Sequence, residues 1–520
     1  MKSALAIDLT TIAPEVRVAL EGLQTEVQRL RTLLHFKDEE IRLLNIKKFG
    51  PKGDKLSSDQ SQLLLGEVIV SAQEVEQEAA RPEKEKQVPP PVKTPRATHP
   101  GRDPLPEHLE RREVIIPCHP EDCHCSKCGT ELPIIGYEVR EELGCRPAEF
   151  FVRVIKREKR GSHCLPEQGV AVAPAPTQII PKSKLSDEFI IEVLAAKFQQ
   201  HLPVYRQCAV LLENHGITIS RQTLNDAVLG AADLLSAVVR AQAQELVAGP
   251  YLQADETRMP CQTGEKTGKN HNAFIWEFSQ PGKAVVFEFK MGRGRDGPKE
   301  FLKGFKGKLQ CDGYEVYNLL GEGIVYVACM AHIRRKFVDA SKLAPLDPIP
   351  IQIVAEFSKL YQVEMEARDK GMKPEERLAL RKERSEPVMN ALKTRLVALQ
   401  QSLNPGGALA KACDYALNQW SRMEEYLKDG IVEIDNNWCE GAMRPIALGR
   451  KNWLHVGSEF AGPKVAAIMS IVETCRRLGI NLRSYLSDVL PKLSTCSITE
   501  VATLTPTAWK NARSPAPVST

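Results

Sequence analysis

From Val16 onward, apolar residues fall at Val16, Leu20, Leu23, Val27, Leu30, Leu34, Ile41 and Leu44, in alternating steps of four and three that only Lys37 interrupts. A seam of that period, kept over about four heptads, predicts a coiled-coil helix in residues 1–50 that pairs with a second copy. An amphipathic helix packed on the chain's own core fits the same pattern. The periodicity then lapses across 51–106, whose end, RPEKEKQVPPPVKTPRATHPGRDPLP, is too rich in proline and charge to bury a core and reads as a linker. Helical periodicity returns over 180–246. An amphipathic run from Pro203 to Asn214 stops at His215-Gly216, and Ser220 can cap a second helix, SRQTLNDAVLGAA. This fits a helix-turn-helix, with Arg221, Gln222 and Asn225 near the start of the second helix; a plain helical hairpin fits it equally.

From 250 the period changes to that of strands. Tyr251–Ala254 leads to Asp255, and Ala273–Phe278 and Ala284–Phe289 flank a Gln280-Pro281-Gly282 turn. A short helical stretch, Gly297–Phe305, precedes strands at Lys308–Cys311 and Ile324–Cys329, and AHIRRKF then begins a basic helix. The predicted fold is multidomain α+β. After the coiled coil and linker come a zinc-finger-like segment at 107–170 and the helical domain at 180–246. An RNase H-like core with a mixed sheet starts at 247–345, is interrupted by a helical insertion at 346–430, and is completed at 431–495. Helices are expected at Ala461–Leu478 and Ser484–Leu493, and a loose Ser/Thr/Pro-rich tail at 496–520.

Composition narrows the setting. A chain of 520 residues, 42% hydrophobic and 26% charged, is ordinary for roughly three or more soluble domains. A formal net charge of +4 gives no global field for nucleic acid, so a DNA partner has to be met by local basic clusters. Fourteen cysteines are too dilute for a disulfide scaffold, the apolar start is broken at Asp8, and no apolar run is long enough to span a bilayer. The expectation is a cytoplasmic, nucleoid-associated protein with reduced thiols and no membrane partner.

The candidate chemistry lies in scattered acids. Asp255 and Asp312 each follow an apolar strand, and Glu440 sits on a short helical segment just ahead of Arg444, Arg450 and Lys451. Three such carboxylates suit two Mg²⁺ (or Mn²⁺) ions held against a phosphodiester, which points to an enzyme that cuts and joins DNA. Glu256 and Asp435 are neighbouring acids able to substitute as ligands. The cations would clamp phosphates; a solvated basic face is the alternative for Arg450 and Lys451. His332, Arg334, Arg335 and Lys336 form a second basic knot, and Lys290, Arg293, Arg295, Lys299, Lys303, Lys306 and Lys308 a third. Cys125 and Cys128 have the C-x₂-C spacing of a zinc knuckle, but Cys164 has no matching partner. Zinc would need His163, Cys123 or Cys118 to complete its ligands, and a metal-free relic is the other reading.

These residues resemble the transposases of the insertion sequence sixty-six family. The resemblance runs through IKKFGPKGDKLSSDQ, the Cys125–Cys128 region, LPVYRQ with GITISRQTL, LQADET, LQCDGYEVY, ACMAHIRRKF, DNNWCEGAMRPIALGRKNWLHVGS and IVETCRRLGINLRSYLSDVL. It implies a DDE-type recombinase in which Asp255, Asp312 and Glu440 are the catalytic acids. It also implies DNA as partner, both element ends and target, and accessory proteins of the same element. The chain departs from the family pattern at Gly441, where an arginine is usual, at Pro51–Asp54, and in the incomplete second cysteine pair. A DNA-binding protein that has lost catalysis is the alternative, and a host nuclease a third reading.

Overall fold

The structure, a computed structural model, describes residues 27, 105–146, 149–161, 169–263 and 270–513. The chain divides into two compact units. One comprises Met1–Asp103, Phe337–Gln352 and Leu399–Cys413; the other comprises Pro104–Lys336, Ile353–Ala398 and Asp414–Thr520. The expected coiled coil and nearly all of the linker lie outside the described residues, and in the first unit the described residues are mainly helical stretches of 337–352 and 399–413.

The second unit opens with a four-stranded sheet built from β1 (Arg111–Ile116), β2 (Ile134–Arg146), β3 (Glu149–Gly161) and β4 (Val170–Val172). β3 is central, parallel to β1 and antiparallel to β2 and β4, and it buries Val152, Val154 and Ile155. Three helices follow: α1 (Asp187–Phe198), α2 (Val204–His215) and α3 (Arg221–Val247). Gly216 ends α2 with φ +63, a left-handed cap that a Cβ would strain, and Ser220 caps α3 by accepting the Thr223 N–H at 3.0 Å. α3 is 27 residues long, well beyond SRQTLNDAVLGAA, because Leu235, Val238, Val239, Gln242 and Leu246 extend its buried stripe.

A second sheet has the order β7-β6-β5-β8-β9, with β5 (Tyr251–Cys261), β6 (His271–Ser279), β7 (Val285–Lys290), β8 (Lys308–Cys311) and β9 (Val325–Ala328). β5 pairs antiparallel with β6 along most of its length, but parallel with β8 only over Tyr251–Gln253. α4 (Asp296–Phe301) lies between β7 and β8 in sequence, and α5 (Met330–Leu343) follows β9. The stretch expected as a helical insertion holds α6 (Ile349–Asp369), α7 (Pro374–Leu380), a π-helical turn at Arg381–Ser385, α8 (Glu386–Ser402), α9 (Ala408–Asn418) and α10 (Trp420–Glu424). The chain returns through α11 (Asn437–Trp453), α12 (Ala461–Leu478), α13 (Leu482–Leu493) and α14 (Pro506–Arg513).

One buried apolar cluster runs through Leu143, Ile190, Leu235, Leu252, Trp276, Leu309, Ile468 and Leu490, so α1–α3 share a core with the second sheet. α12 covers β7 at close range. Ser470 and Thr474 hydroxyls accept the Phe287 and Val285 N–H groups at 2.8 and 3.0 Å, satisfying donors that an edge strand would otherwise expose. A Cβ at Gly462 of α12 would come within 2.2 Å of the Phe289 ring. The tail, expected to be loose from 496, is ordered through Arg513. Trp509 packs edge-on against Tyr485 and donates to Asp488 at 2.8 Å, an apolar anchor that the polar composition conceals.

Candidate catalytic centre

Alternation along β5 places Tyr251, Gln253 and Asp255 on one face. The parallel register pairs Gln253 with Gln310 of β8, and Asp255 and Asp312 each lie two residues beyond that last pair. Asp255 therefore lies inside a strand rather than at a strand end as expected; β5 continues because β6 still pairs with it where β8 has stopped. Asp312 is the first residue beyond β8, and its Oδ1 accepts the Tyr314 N–H at 3.0 Å in a local turn. Gly313 is needed there, since a Cβ would meet the Tyr415 hydroxyl at 2.4 Å.

The same sheet face directs Glu440. The Tyr251 hydroxyl donates to Gln310 Oε1 at 2.5 Å, and Gln253 Nε2 donates to that oxygen at 2.8 Å. Gln253 also donates to the Asp435 carbonyl at 2.8 Å and Gln310 to the Glu433 carbonyl at 2.9 Å. From the other side Arg381, fully buried, donates to the Tyr426, Asp429 and Val432 carbonyls at 2.8–3.0 Å. Arg377 and Arg368 hold the Glu433 carboxylate. The segment entering α11 is thus pinned by buried hydrogen bonds, and Glu440 sits in that helix's first turn. α11 has 17 residues, longer than the short segment expected.

The acids feel one another's charge, although Asp255, Asp312 and Glu440 do not bring one ligand atom each within 4.8 Å of the others. The Asp255 carboxyl is pushed up to about 8, first by burial and then by the charges of Glu256, Asp312 and Glu440, with the Glu256 N–H at 2.9 Å as an offsetting donor. The two substitute acids are already engaged. Glu256 accepts from Arg293 Nε at 3.0 Å and from the Tyr317 hydroxyl at 2.6 Å, and Asp435 accepts from Asn437 N and Nδ2 at 3.1 and 2.8 Å. Burial raises Asp435 to about 6. Half-buried carboxylates with few donors fit hard divalent cations, whose charge would offset the mutual repulsion.

Sequence reasoning missed Glu277. It pairs with Asp255 across the β5–β6 ladder, is fully buried, and burial pushes its carboxyl well above the usual range. Arg477 of α12 stands 3.6 Å from it and donates to the Trp438 carbonyl at 2.9 Å, tying the start of α11 to the sheet. The available signal was an acid inside the apolar strand AFIWEF, beside a second-sheet acid.

The basic residues separate. On α11, Arg444 and Lys451 share the face of Glu440 by helical spacing and are exposed, whereas Arg450 turns back to donate to the Arg258 carbonyl of β5. His332 faces Glu440, with Nδ1 3.7 Å from Oε1, while Arg335 and Lys336 are exposed on α5 and Arg334 is half-buried. In the third stretch Lys290, Arg293 and Lys308 are paired with Glu300, Glu256, and Glu425 with Asp429. Arg221 and Gln222 are exposed at the start of α3 and Asn225 is half-buried; Gln222 donates to Asp226 at 2.7 Å. Trp276 is buried in the core, and Trp438 is 43% exposed. In the cysteine segment, Gly129 (φ +69) closes a turn whose N–H donates to the Cys125 carbonyl at 2.9 Å. Among the described residues Cys118, Cys123, Cys125 and Cys128 do not gather three ligand atoms at one point, and His163 and Cys164 lie outside the described residues.

Residues 182–463 match the family described as Transposase IS66 family, and residues 38–114 match Transposase C of IS166 homeodomain. Three proteins of Sinorhizobium fredii (strain NBRC 101917 / NGR234) are similar. Uncharacterized protein y4jD is 33% identical over 78% of this chain and 81% of its own length. Uncharacterized protein y4hP is 30% identical over 87% and 84%, and Uncharacterized protein y4qI 29% identical over 94% and 92%. No helix among the described residues is long and apolar enough to cross a membrane.

Proposed function

The chain belongs to the IS66 family of transposases, and from that premise we propose that it is a metal-dependent enzyme that cuts the ends of its element and joins them to target DNA on an RNase H-like core. What supports this reading is that the charges of Asp312 and Glu440, carboxylates from separate elements, both raise the Asp255 carboxyl. Two Mg²⁺ (or Mn²⁺) ions held there would supply an activated water or 3′-hydroxyl and stabilise the leaving 3′-oxygen. Asp255 and Asp312 would supply ligand oxygens from neighbouring strands, and Glu440 the third from α11. Asp255 keeps a proton near neutral pH until a cation displaces it. Arg444 and Lys451, exposed on the face of Glu440, bind backbone phosphates, with Arg334, Arg335 and Lys336 extending the contact. Arg450 supports β5 instead, and Arg221, Gln222 and Asn225 meet DNA at the start of α3. Residues 1–50 bring copies together, zinc bound through Cys125 and Cys128 stabilises the 107–170 segment, and proteins of the same element assist.

The test is Mg²⁺-dependent nicking and joining of DNA carrying the element's ends, measured for the wild type and for Asp312→Ala. Cleavage by the wild type and none by the variant is expected. Equal cleavage by both would remove Asp312 from the reaction, and end-specific binding without cleavage by either would favour a DNA-binding protein that has lost catalysis.

A further inference from the structure

Beside the carboxylates stands a group of different chemistry. Cys329 follows β9, His332 lies in the first turn of α5 and Glu440 in the first turn of α11, and one ligand atom from each lies within 4.8 Å of the other two. No other such trio of Cys, His, Asp or Glu occurs among the described residues. His332 Nδ1 and Glu440 Oε1 are both buried atoms without a hydrogen-bond partner, 3.7 Å apart. Cys329 is 2% exposed, and its sulfur accepts the Asn436 N–H at 3.4 Å and the His332 N–H at the start of α5. Burial pushes the Cys329 thiol well above its usual range and the two backbone donors offset only part of this, so a cation bound here has to displace the thiol proton.

We propose that Cys329, His332 and Glu440 form a site for one borderline divalent cation of the Zn²⁺ class, bound through Sγ, Nδ1 and a carboxylate oxygen. A sulfur and an imidazole nitrogen select such an ion over Mg²⁺. With metal–ligand bonds of about 2.0–2.3 Å, tetrahedral ligand atoms lie roughly 3.3–3.7 Å apart, so the trio needs only a small closure. Thiolate, carboxylate and neutral imidazole cancel a 2+ charge, which suits a buried place, and binding releases the thiol proton to solvent. Three protein ligands leave a fourth position for water or a phosphate oxygen. Glu440 belongs to this trio and to the Asp255 cluster, so an ion here also relieves part of the repulsion on Asp255. The ligands need no substrate, so the ion binds whether or not the chain cuts DNA. The competing account is a protonated His332 in an ion pair with Glu440.

Co²⁺ titration of the full-length protein separates the two, because thiolate ligation gives a near-ultraviolet charge-transfer band and tetrahedral Co²⁺ gives visible bands. Carrying Cys125→Ser and Cys128→Ser in every sample removes absorption from that C-x₂-C pair, and loss of the band in Cys329→Ala assigns what remains. The expected result is one equivalent of Co²⁺ with a thiolate band, lost in Cys329→Ala and weakened at least about tenfold in affinity in Glu440→Gln, a near-isosteric change that protects the test if the cysteine variant misfolds. Zn²⁺ should displace the Co²⁺, and excess Mg²⁺ should not. A spectrum and stoichiometry unchanged by Cys329→Ala, or no thiolate band in the parent, would overturn the site. Asp312→Ala, which should abolish cleavage, is expected to keep the band, so the two proposals fail separately.

Discussion

Among the helices between α6 and α10 the Arg381 guanidinium is fully buried, and each of its five N–H donors has an acceptor: both oxygens of Glu364 and the carbonyls of Tyr426, Asp429 and Val432. Glu364 also accepts from Arg377 and from the Tyr426 hydroxyl, and these cations hold its carboxyl down to about 2. On the sheet, by contrast, Asp255 is pushed up to about 8 among other acids, and both carboxylate oxygens of its neighbour Glu277 are buried without a hydrogen bond. Both regions bury charge. The helices match each charge with a partner and so fix the backbone leading to Glu440; the sheet pairs Glu277 with Arg477 and Glu256 with Arg293 but gives Asp255 no cation, which costs stability and leaves room for one.

The contrast can be broken most sharply by activity. Asp255→Asn should lower end cleavage by about a thousandfold or more while raising the midpoint of thermal unfolding without metal at about pH 9, where the wild-type carboxyl has lost its proton and the substitution removes a repelled charge. A variant that keeps its activity, or that unfolds more easily, would contradict the account of the sheet. Arg381→Ala should do the reverse to stability, costing about 3–5 kcal/mol in urea denaturation by stranding Glu364; a loss under about 1 kcal/mol would mean that the network is not tight. Adding Mg²⁺ at about a hundred times its Kd should stabilise the wild type by about 2.7 kcal/mol, and Asp255→Asn by much less. A like gain in both would place the ion elsewhere.

The smallest effect is in pH dependence, and the two regions should differ in sign. Glu364 has a depressed folded value, so its contribution is present above the ordinary carboxylate range and fades as pH falls toward about 2. Asp255 has a raised one, so the folded state holds its proton more tightly and stability declines as pH rises from about 4 to about 8. Unfolding measured across pH without metal should show the upper slope in the wild type and a flatter one in Asp255→Asn; identical slopes would contradict it.

Much of this was legible from periodicity. The helix at Ala461–Leu478, the hairpin around Gly282 and the short strand ending at Cys311 all follow from apolar spacing and turn residues. Where local signals weaken, the reading failed. Asp255 looked like a strand end because the apolar run Tyr251–Ala254 stops before it, whereas pairing with β6 carries the strand on to Cys261, a partnership that no local pattern encodes. The helix at Pro506–Arg513 hid within a polar tail because its stability comes from Trp509 docking on Tyr485 and Asp488. Arg450 read as a phosphate clamp by its neighbours in sequence, but the turn of α11 points it at β5.

The order of elements, the three candidate acids and the family were set by the chain's own pattern, because side-chain period, turn residues and long motifs are local properties of a sequence. Only the tertiary structure decided that Asp255 feels the charges of Asp312 and Glu440, that Glu277 pairs with Asp255 across the ladder with Arg477 beside it, and that Cys329 and His332 meet Glu440. Those meetings depend on strand register and on the hydrogen bonds of Tyr251, Gln253, Gln310 and Arg381, which join residues far apart in the chain. Such couplings are written in no single stretch of it.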